Sequence, residues 1–172
     1  MHSKALESVI KSIEKGRTVV RVIPARNIAV REWVRLKCMY GCEMFGKSWS
    51  CPPAPPSVNE VKDIISWYKK ALLIGFETNS LSDQKKTHKT MLEIERKLFL
   101  AGFYKAFALF PGPCSFCSSC SYPKPCMHPE LRRPAIEGFG IDVFQTAKNS
   151  GFLPKVLQKR RSFRSFGLIL LE

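Results

Sequence analysis

Residues 71–110, ALLIGFETNSLSDQKKTHKTMLEIERKLFLAGFYKAFALF, form the stretch on which the fold turns. ALLIGFE, residues 71–77, is an uninterrupted apolar run of strand length, as expected for a strand buried on both faces. A loop through Ser80, Leu81 and Ser82 leads into a helical pattern that ends near Ala101. Met91, Ile94, Leu98 and Ala101 share one stripe, Leu92 and Phe99 widen it, and Gly102 supplies the stop. YKAFALF, residues 104–110, is a second strand. Strand, helix and strand in succession predict a right-handed crossover and a parallel pair.

Toward the N-terminus, Ser57 and Glu60 form a capping box that opens a helix with Val58, Val61, Ile64, Ile65 and Tyr68 on its apolar face. Residues 3–15 read as an amphipathic helix with Leu6, Val9, Ile10 and Ile13 on one stripe, capped by Ser3 and stopped at Gly16. Thr18–Ile23 is a β-branched strand ended by Pro24, and Asn27–Val30 is a further short strand. Val34, Arg35, Leu36 and Lys37 alternate into Cys38, which places that cysteine at the end of an extended segment. Toward the C-terminus, the pattern gives a helix over Ile141–Asn149, a basic stretch over Lys155–Arg164 and an apolar strand over Phe166–Leu171. With no internal repeat or linker, residues 1–172 read as a single α/β domain. Its sheet is four- or five-stranded, mixed or mostly parallel, and flanked by helices. Two cysteine-rich metal-binding loops interrupt the pattern.

The first loop, MYGCEMFGKSWSCPPAPP (39–56), has two glycines, four prolines and no periodicity, and it feeds the N-terminus of the Ser57 helix, an end that stabilises negative charge. The second, PGPCSFCSSCSYPKPC (111–126), follows the strand at 104–110 and carries four cysteines in sixteen residues. Both sets follow extended segments, an arrangement that can bring them to one edge of a parallel sheet, although spacing along the chain does not fix the distance between them.

A hydrophobic content of 45% over 172 residues builds a core without disulfide staples. The N-terminus lacks the apolar stretch of a signal peptide, and no run reaches membrane-spanning length, so a cytoplasmic location and no membrane partner are expected. Seven cysteines, an odd number, argue against a disulfide framework in that reducing compartment. Inert buried thiols lie scattered along a chain, whereas these fall into two tight sets: Cys38, Cys42 and Cys51, and Cys114, Cys117, Cys120 and Cys126.

Spacing chooses between metals. Structural zinc favours two CxxC pairs a dozen or more residues apart, so that two knuckles face each other. The run Cys114-x2-Cys117-x2-Cys120 lacks that separation and matches the opening of a bacterial ferredoxin motif, with Cys126 near enough to be the fourth ligand. A [4Fe-4S] cluster on these four cysteines is therefore preferred to zinc. The other set offers three thiolates, which on a second cubane leave one iron open for chemistry. Alternatively His128 completes a structural site; two residues from Cys126, it would serve either set.

The formal charge of +14 favours an acidic partner: a redox protein, a small anionic substrate or nucleic acid. Bound thiolate clusters would lower it by about 3 units. Near the cysteines stand Lys37, Lys47, Lys124, Arg132 and Arg133, while the KRRSFR run at 159–164 interleaves an aromatic with cations. A zinc-binding, non-enzymatic module that grips nucleic acid or an acidic protein is the alternative reading, though no nucleic-acid motif accompanies the charge.

Several motifs recur together in one order: Cys38-Met-Tyr-Gly-Cys42, Phe45-Gly46-Lys47, Trp49-Ser50-Cys51-Pro52-Pro53, Pro111-Gly112-Pro113-Cys114-x2-Cys117-x2-Cys120, Cys126-x-His128-Pro129-Glu130 and Gly140-Ile141-Asp142-Val143. From about residue 26 to residue 152 the chain thus resembles the DUF2284 family of predicted metal-binding proteins, found largely in anaerobic archaea and bacteria. The resemblance implies a small cytoplasmic iron-sulfur metalloprotein and supplies no reaction. One departure is Arg133-Pro134-Ala135, where a serine is expected after the proline.

Overall fold

Thr18–Pro24 (β1), Lys70–Thr78 (β2), Phe107–Leu109 (β3) and Phe163–Leu170 (β4) form one sheet in the order β1-β2-β4-β3. Every neighbouring pair is antiparallel, which corrects the expected parallel or mixed sheet. The computed structural model behind this description covers residues 2–14, 18–78, 83–153 and 163–172. The Ser3 side chain, Gly16, the loop at Ser80–Ser82 and the basic stretch as far as residue 162 lie outside the described groups.

The strand-helix-strand reading failed in its neighbour, not in its direction. β2 and β3 are both antiparallel to β4, so they run the same way, but β4 is inserted between them as in a split βαβ unit. β4 pairs with β2 along all eight of its residues and with β3 along three. Leu168 and Leu170 on one face and Ile169 on the other are fully buried, each face in its own core cluster. Gly167 lets this strand pass beneath the helix above it, because a Cβ there would lie 2.8 Å from Met91 Cε and 3.3 Å from Leu109 O.

Helices cover both faces. His2–Ile13 (α1) and Gln84–Leu100 (α4) pack Leu6, Ile13, Met91, Ile94 and Leu98 against Leu72, Ile74 and Ile169. On the other face, Val58–Ser66 (α3) and Val143–Asn149 (α5) join Ile23, Leu73, Leu168 and Leu170 through Val61, Ile65 and Ala147. The Ser57 capping box forms as expected: Ser57 Oγ accepts the Glu60 N–H, and Glu60 Oε2 accepts the Ser57 N–H at 2.7 Å. Asp142 caps α5 by accepting the Gln145 N–H at 2.9 Å. Among the described residues no helix is long and apolar enough to cross a membrane.

Two expected strands are corrected. Asn27–Val30 becomes a 3-10 turn over Ala25–Asn27 and a single antiparallel bridge, Val30 to Ile141. Residues 34–37 are helical, within Trp33–Gly41 (α2). Their alternation does not mark a half-buried strand, since Val34 is buried while Leu36 is 55% exposed. Phe107–Leu109 is also shorter than the expected 104–110 strand, with turns preceding it.

Candidate metal centre

The helical state of α2 decides the geometry of the first cysteine set. Cys38 lies in its last turn and Cys42 is its C-cap, four residues on, so both project from one side of the helix. A series of turns then reverses the chain: the Phe45 N–H donates to Cys42 O at 3.3 Å, Gly46 N–H to Pro52 O at 2.9 Å, and Ala54 N–H to Cys51 O at 3.1 Å. Cys51 thereby returns to the neighbourhood of Cys38 and Cys42, whose charges act on it. Arg35 ties the helix to the loop's far end by donating to Pro56 O.

Cys51 is buried, and burial pushes its thiol up to about 11 despite hydrogen bonds from Ser50 and Ser48. Burial also raises Cys38, reinforced by Cys42 and Glu137 and opposed by Arg35. Such thiols are poor free nucleophiles at neutral pH and become thiolates when a cation binds them. Arg35 Nε is buried with no hydrogen-bond partner, and the Arg35 charge acts on Cys38. An orphaned guanidinium N–H beside clustered thiols fits an anionic metal cluster.

The second set hangs from the end of β3 and is braced by α4. Gln84 Nε2 donates to Pro113 O at 3.0 Å, and Lys85 Nζ to Phe116 O at 3.3 Å. His88 is fully buried, stacked on Phe110 with centroids 4.1 Å apart and planes 5° apart. Its Nε2 lies 3.2 Å from Pro111 O, a pure acceptor, so Nε2 carries the proton. Nδ1 therefore accepts the Ser115 hydroxyl at 2.9 Å. Burial holds the His88 pKa below its ordinary value, against a smaller opposing effect of the Pro111 carbonyl.

Within this loop Cys114, Cys117, Cys120 and Cys126 are partly buried and close enough for the charges of the other three to act on Cys114. Burial raises the Cys114 thiol, while the Phe116 N–H donates to it. Burial also pushes Cys120 upward, but the N–H groups of Trp49 and Tyr122, the Ser48 hydroxyl and Arg132 outweigh it and lower its pKa.

The two loops share a wall. Ser50 Oγ accepts the Cys114 N–H at 2.8 Å and stands 3.6 Å from Cys51 Sγ. Ser48 Oγ is 2.8 Å from Ser50 Oγ and accepts the Ser50 N–H at 3.2 Å, and the Ser48 hydroxyl lowers the thiol pKa of both Cys51 and Cys120. Both serines are buried. Trp49 Nε1 donates to Lys124 O at 2.9 Å, the ring meets Tyr122 edge-on, and Arg132 lies 4.9 Å above it. The two loops meet through Ser50 and Trp49, at a helix end and a loop wall and not at a parallel sheet edge.

Of the expected cations, Arg132 acts on Cys120, whereas Arg133 forms a bidentate ion pair with Glu95 and Lys37 lies over Trp33. Within the KRRSFR run, Arg164 ion-pairs with Glu77 at 2.8 Å. His128 is half-exposed, 3.9 Å from Glu130 Oε1, and lines an open groove with Lys85, Lys89, Leu92 and Phe116. Among the described residues, no three His, Cys, Asp or Glu side chains converge on one ion-sized point.

Sequence reasoning assigned no role to His88, Ser48, Ser50 or Glu137. His88 carried a signal, since it extends the buried stripe of α4 three residues back from Met91. Glu137 carried none: its nearness to Cys38 arises because α2 packs on the 3-10 turn Glu137–Phe139.

The DUF2284 family model, described as a predicted metal-binding protein, matches residues 21–171. No curated protein and no solved structure matches the chain.

Proposed function

The chain belongs to the DUF2284 family of predicted metal-binding proteins, and from that premise we propose that it is an iron-sulfur protein of electron transfer or redox chemistry. Cys114, Cys117, Cys120 and Cys126 hold a [4Fe-4S] cluster, and Cys38, Cys42 and Cys51 hold a second cluster with one iron not bound by cysteine. Bound there, such clusters supply one-electron chemistry, and an iron without a thiolate supplies a place for a substrate. The observation that carries the reading is the shared wall: seven thiols in two groups, with amide and hydroxyl donors directed at their sulfurs.

The chain's own groups divide the work. Burial of Cys51 excludes water from one side of the three-cysteine set, while exposed Cys42 leaves the other side approachable. N–H and O–H donors to Cys120 stabilise negative charge on the four-cysteine set, which raises its affinity for an electron. Arg132, above Trp49, adds positive charge at the surface of that loop, suited to an acidic redox protein or a small anionic substrate. A reducing cytoplasm keeps the thiols free.

Anaerobic purification followed by iron and acid-labile sulfide analysis tests this. Two cubanes' worth of iron and sulfide per chain is expected; a colourless protein that retains stoichiometric zinc after anaerobic reconstitution overturns it. Zinc would restore the reading of a basic, non-enzymatic module, whose grip on nucleic acid would weaken steeply with salt.

A further inference from the structure

Ser50 stands where the two cysteine loops touch, and its backbone is held on both sides. Its N–H donates to Ser48 Oγ at 3.2 Å, and its carbonyl accepts the Ala135 N–H at 2.8 Å. A Cβ at Gly138 would come within 2.8 Å of that same carbonyl oxygen, so the turn Glu137–Phe139 closes over Ser50 at a distance that needs glycine. Next along the chain, the Cys51 N–H donates to Ser48 O at 3.1 Å. Ser50 is 0% exposed and Ser48 1%, so water does not compete for either hydroxyl.

Three polar atoms surround Ser50 Oγ: Cys114 N at 2.8 Å, Ser48 Oγ at 2.8 Å and Cys51 Sγ at 3.6 Å. A hydroxyl carries one proton and accepts twice. The Cys114 N–H takes one acceptor position, which leaves one donor and one acceptor for the other two neighbours. A thiolate bound to metal has no proton and only accepts. The Ser50 proton then goes to Cys51 Sγ, and the contact between the serines is completed by the Ser48 hydroxyl donating to Ser50 Oγ. This one arrangement satisfies all three contacts, and it spans both loops. An N–H of the four-cysteine loop and the Ser48 hydroxyl together aim the Ser50 proton at a ligand of the three-cysteine set.

From this hydrogen count we propose that Ser50 is a positioning residue shared by the two sites, whose O–H donates to the Cys51 thiolate and sets the reduction potential of the three-cysteine cluster. The proposal rests on the cluster reading above. Donation to a ligand sulfur stabilises the added negative charge of the reduced cluster and raises its potential. A hydroxyl polarised by two further hydrogen bonds donates more strongly than an isolated one. Ser50 thereby links the backbone of the four-cysteine loop to the electron affinity of the neighbouring site.

The test is an anaerobic redox titration of the reconstituted full chain followed by EPR, with the three-cysteine cluster identified as the signal that Cys51→Ser alters. Ser50→Ala is expected to disfavour reduction of that cluster by about tenfold, ~59 mV downward for a one-electron couple, and to move the four-cysteine cluster less. A loop merely loosened by the substitution would admit water, which stabilises the reduced charge and moves the potential upward. The direction of the shift therefore separates a lost donor from a lost fit, and an unchanged or raised potential overturns the proposal. Ser48→Ala removes the donor to Ser50 Oγ and keeps the Ser50 hydroxyl, so a smaller downward shift is expected. That variant carries the test if Ser50→Ala does not fold, and the absence of a downward shift in it then overturns the proposal. Iron and sulfide for a single cubane, or none, in wild type overturn the underlying cluster reading instead.

Discussion

His88 joins α4 to the four-cysteine loop, and His88→Phe isolates its polar contribution. Phenylalanine keeps a ring to stack on Phe110 but removes the contacts to Pro111 O and Ser115 Oγ. Two hydrogen bonds at about 0.5–1.5 kcal/mol each give a loss of ~2 kcal/mol, and the larger ring adds strain in the same direction. For a chain of this length that lowers Tm by roughly 4–8 °C. Acidification supplies the discriminating result. The unfolded histidine titrates near 6.5 and the folded one lower, so below 6.5 the unfolded state binds the extra proton. The stability held by neutral His88 is therefore present above pH 6.5 and is lost as pH falls through the folded value. Thermal scans under argon at one fixed rate, from pH 8 to pH 5.5, should show the gap between wild type and variant closing on the acid side. A gap that stays constant with pH, or no gap at pH 8, refutes the assignment.

Arg133→Ala strips the partner from Glu95, 11% exposed, and should cost about 2–3 kcal/mol, less than a fully buried pair. A double-mutant cycle with Glu95→Gln in urea should show coupling above ~1 kcal/mol; simple additivity contradicts the pairing. Gly140→Ala forces a side chain onto φ +73° with its Cβ 2.8 Å from Val58 Cγ2, so a loss of ~2 kcal/mol or more is expected by the same denaturation assay. Cys51→Ala should remove the iron and sulfide of one cluster while the EPR signal of the four-cysteine cluster persists. Loss of both signals would show that the sets do not assemble separately.

Much of this was legible because the relevant chemistry is local. The Ser57–Glu60 box is an exchange of hydrogen bonds over three residues, so it was readable in the sequence and formed as read. Apolar runs marked β2 and β4 for the same reason. The four-plus-three partition of cysteines needed only spacing, and metal binding is what the matched family model describes. Helicity of residues 33–41 was not legible, because with Val34 as its buried residue α2 has no apolar stripe to reveal its period.

What the sequence alone determined was therefore the inventory: a one-domain α/β chain, two cysteine loops, and thiols sorted by distance along the backbone. Tertiary structure decided the arrangement. β4, last in the chain, lies between β2 and β3 and pairs with both. Cys114 meets Ser50 across 64 residues, and the turn Glu137–Phe139 packs on α2, which carries Cys38. Such contacts depend on which surfaces are left to bury once every element competes for the core, and no window of residues holds that information.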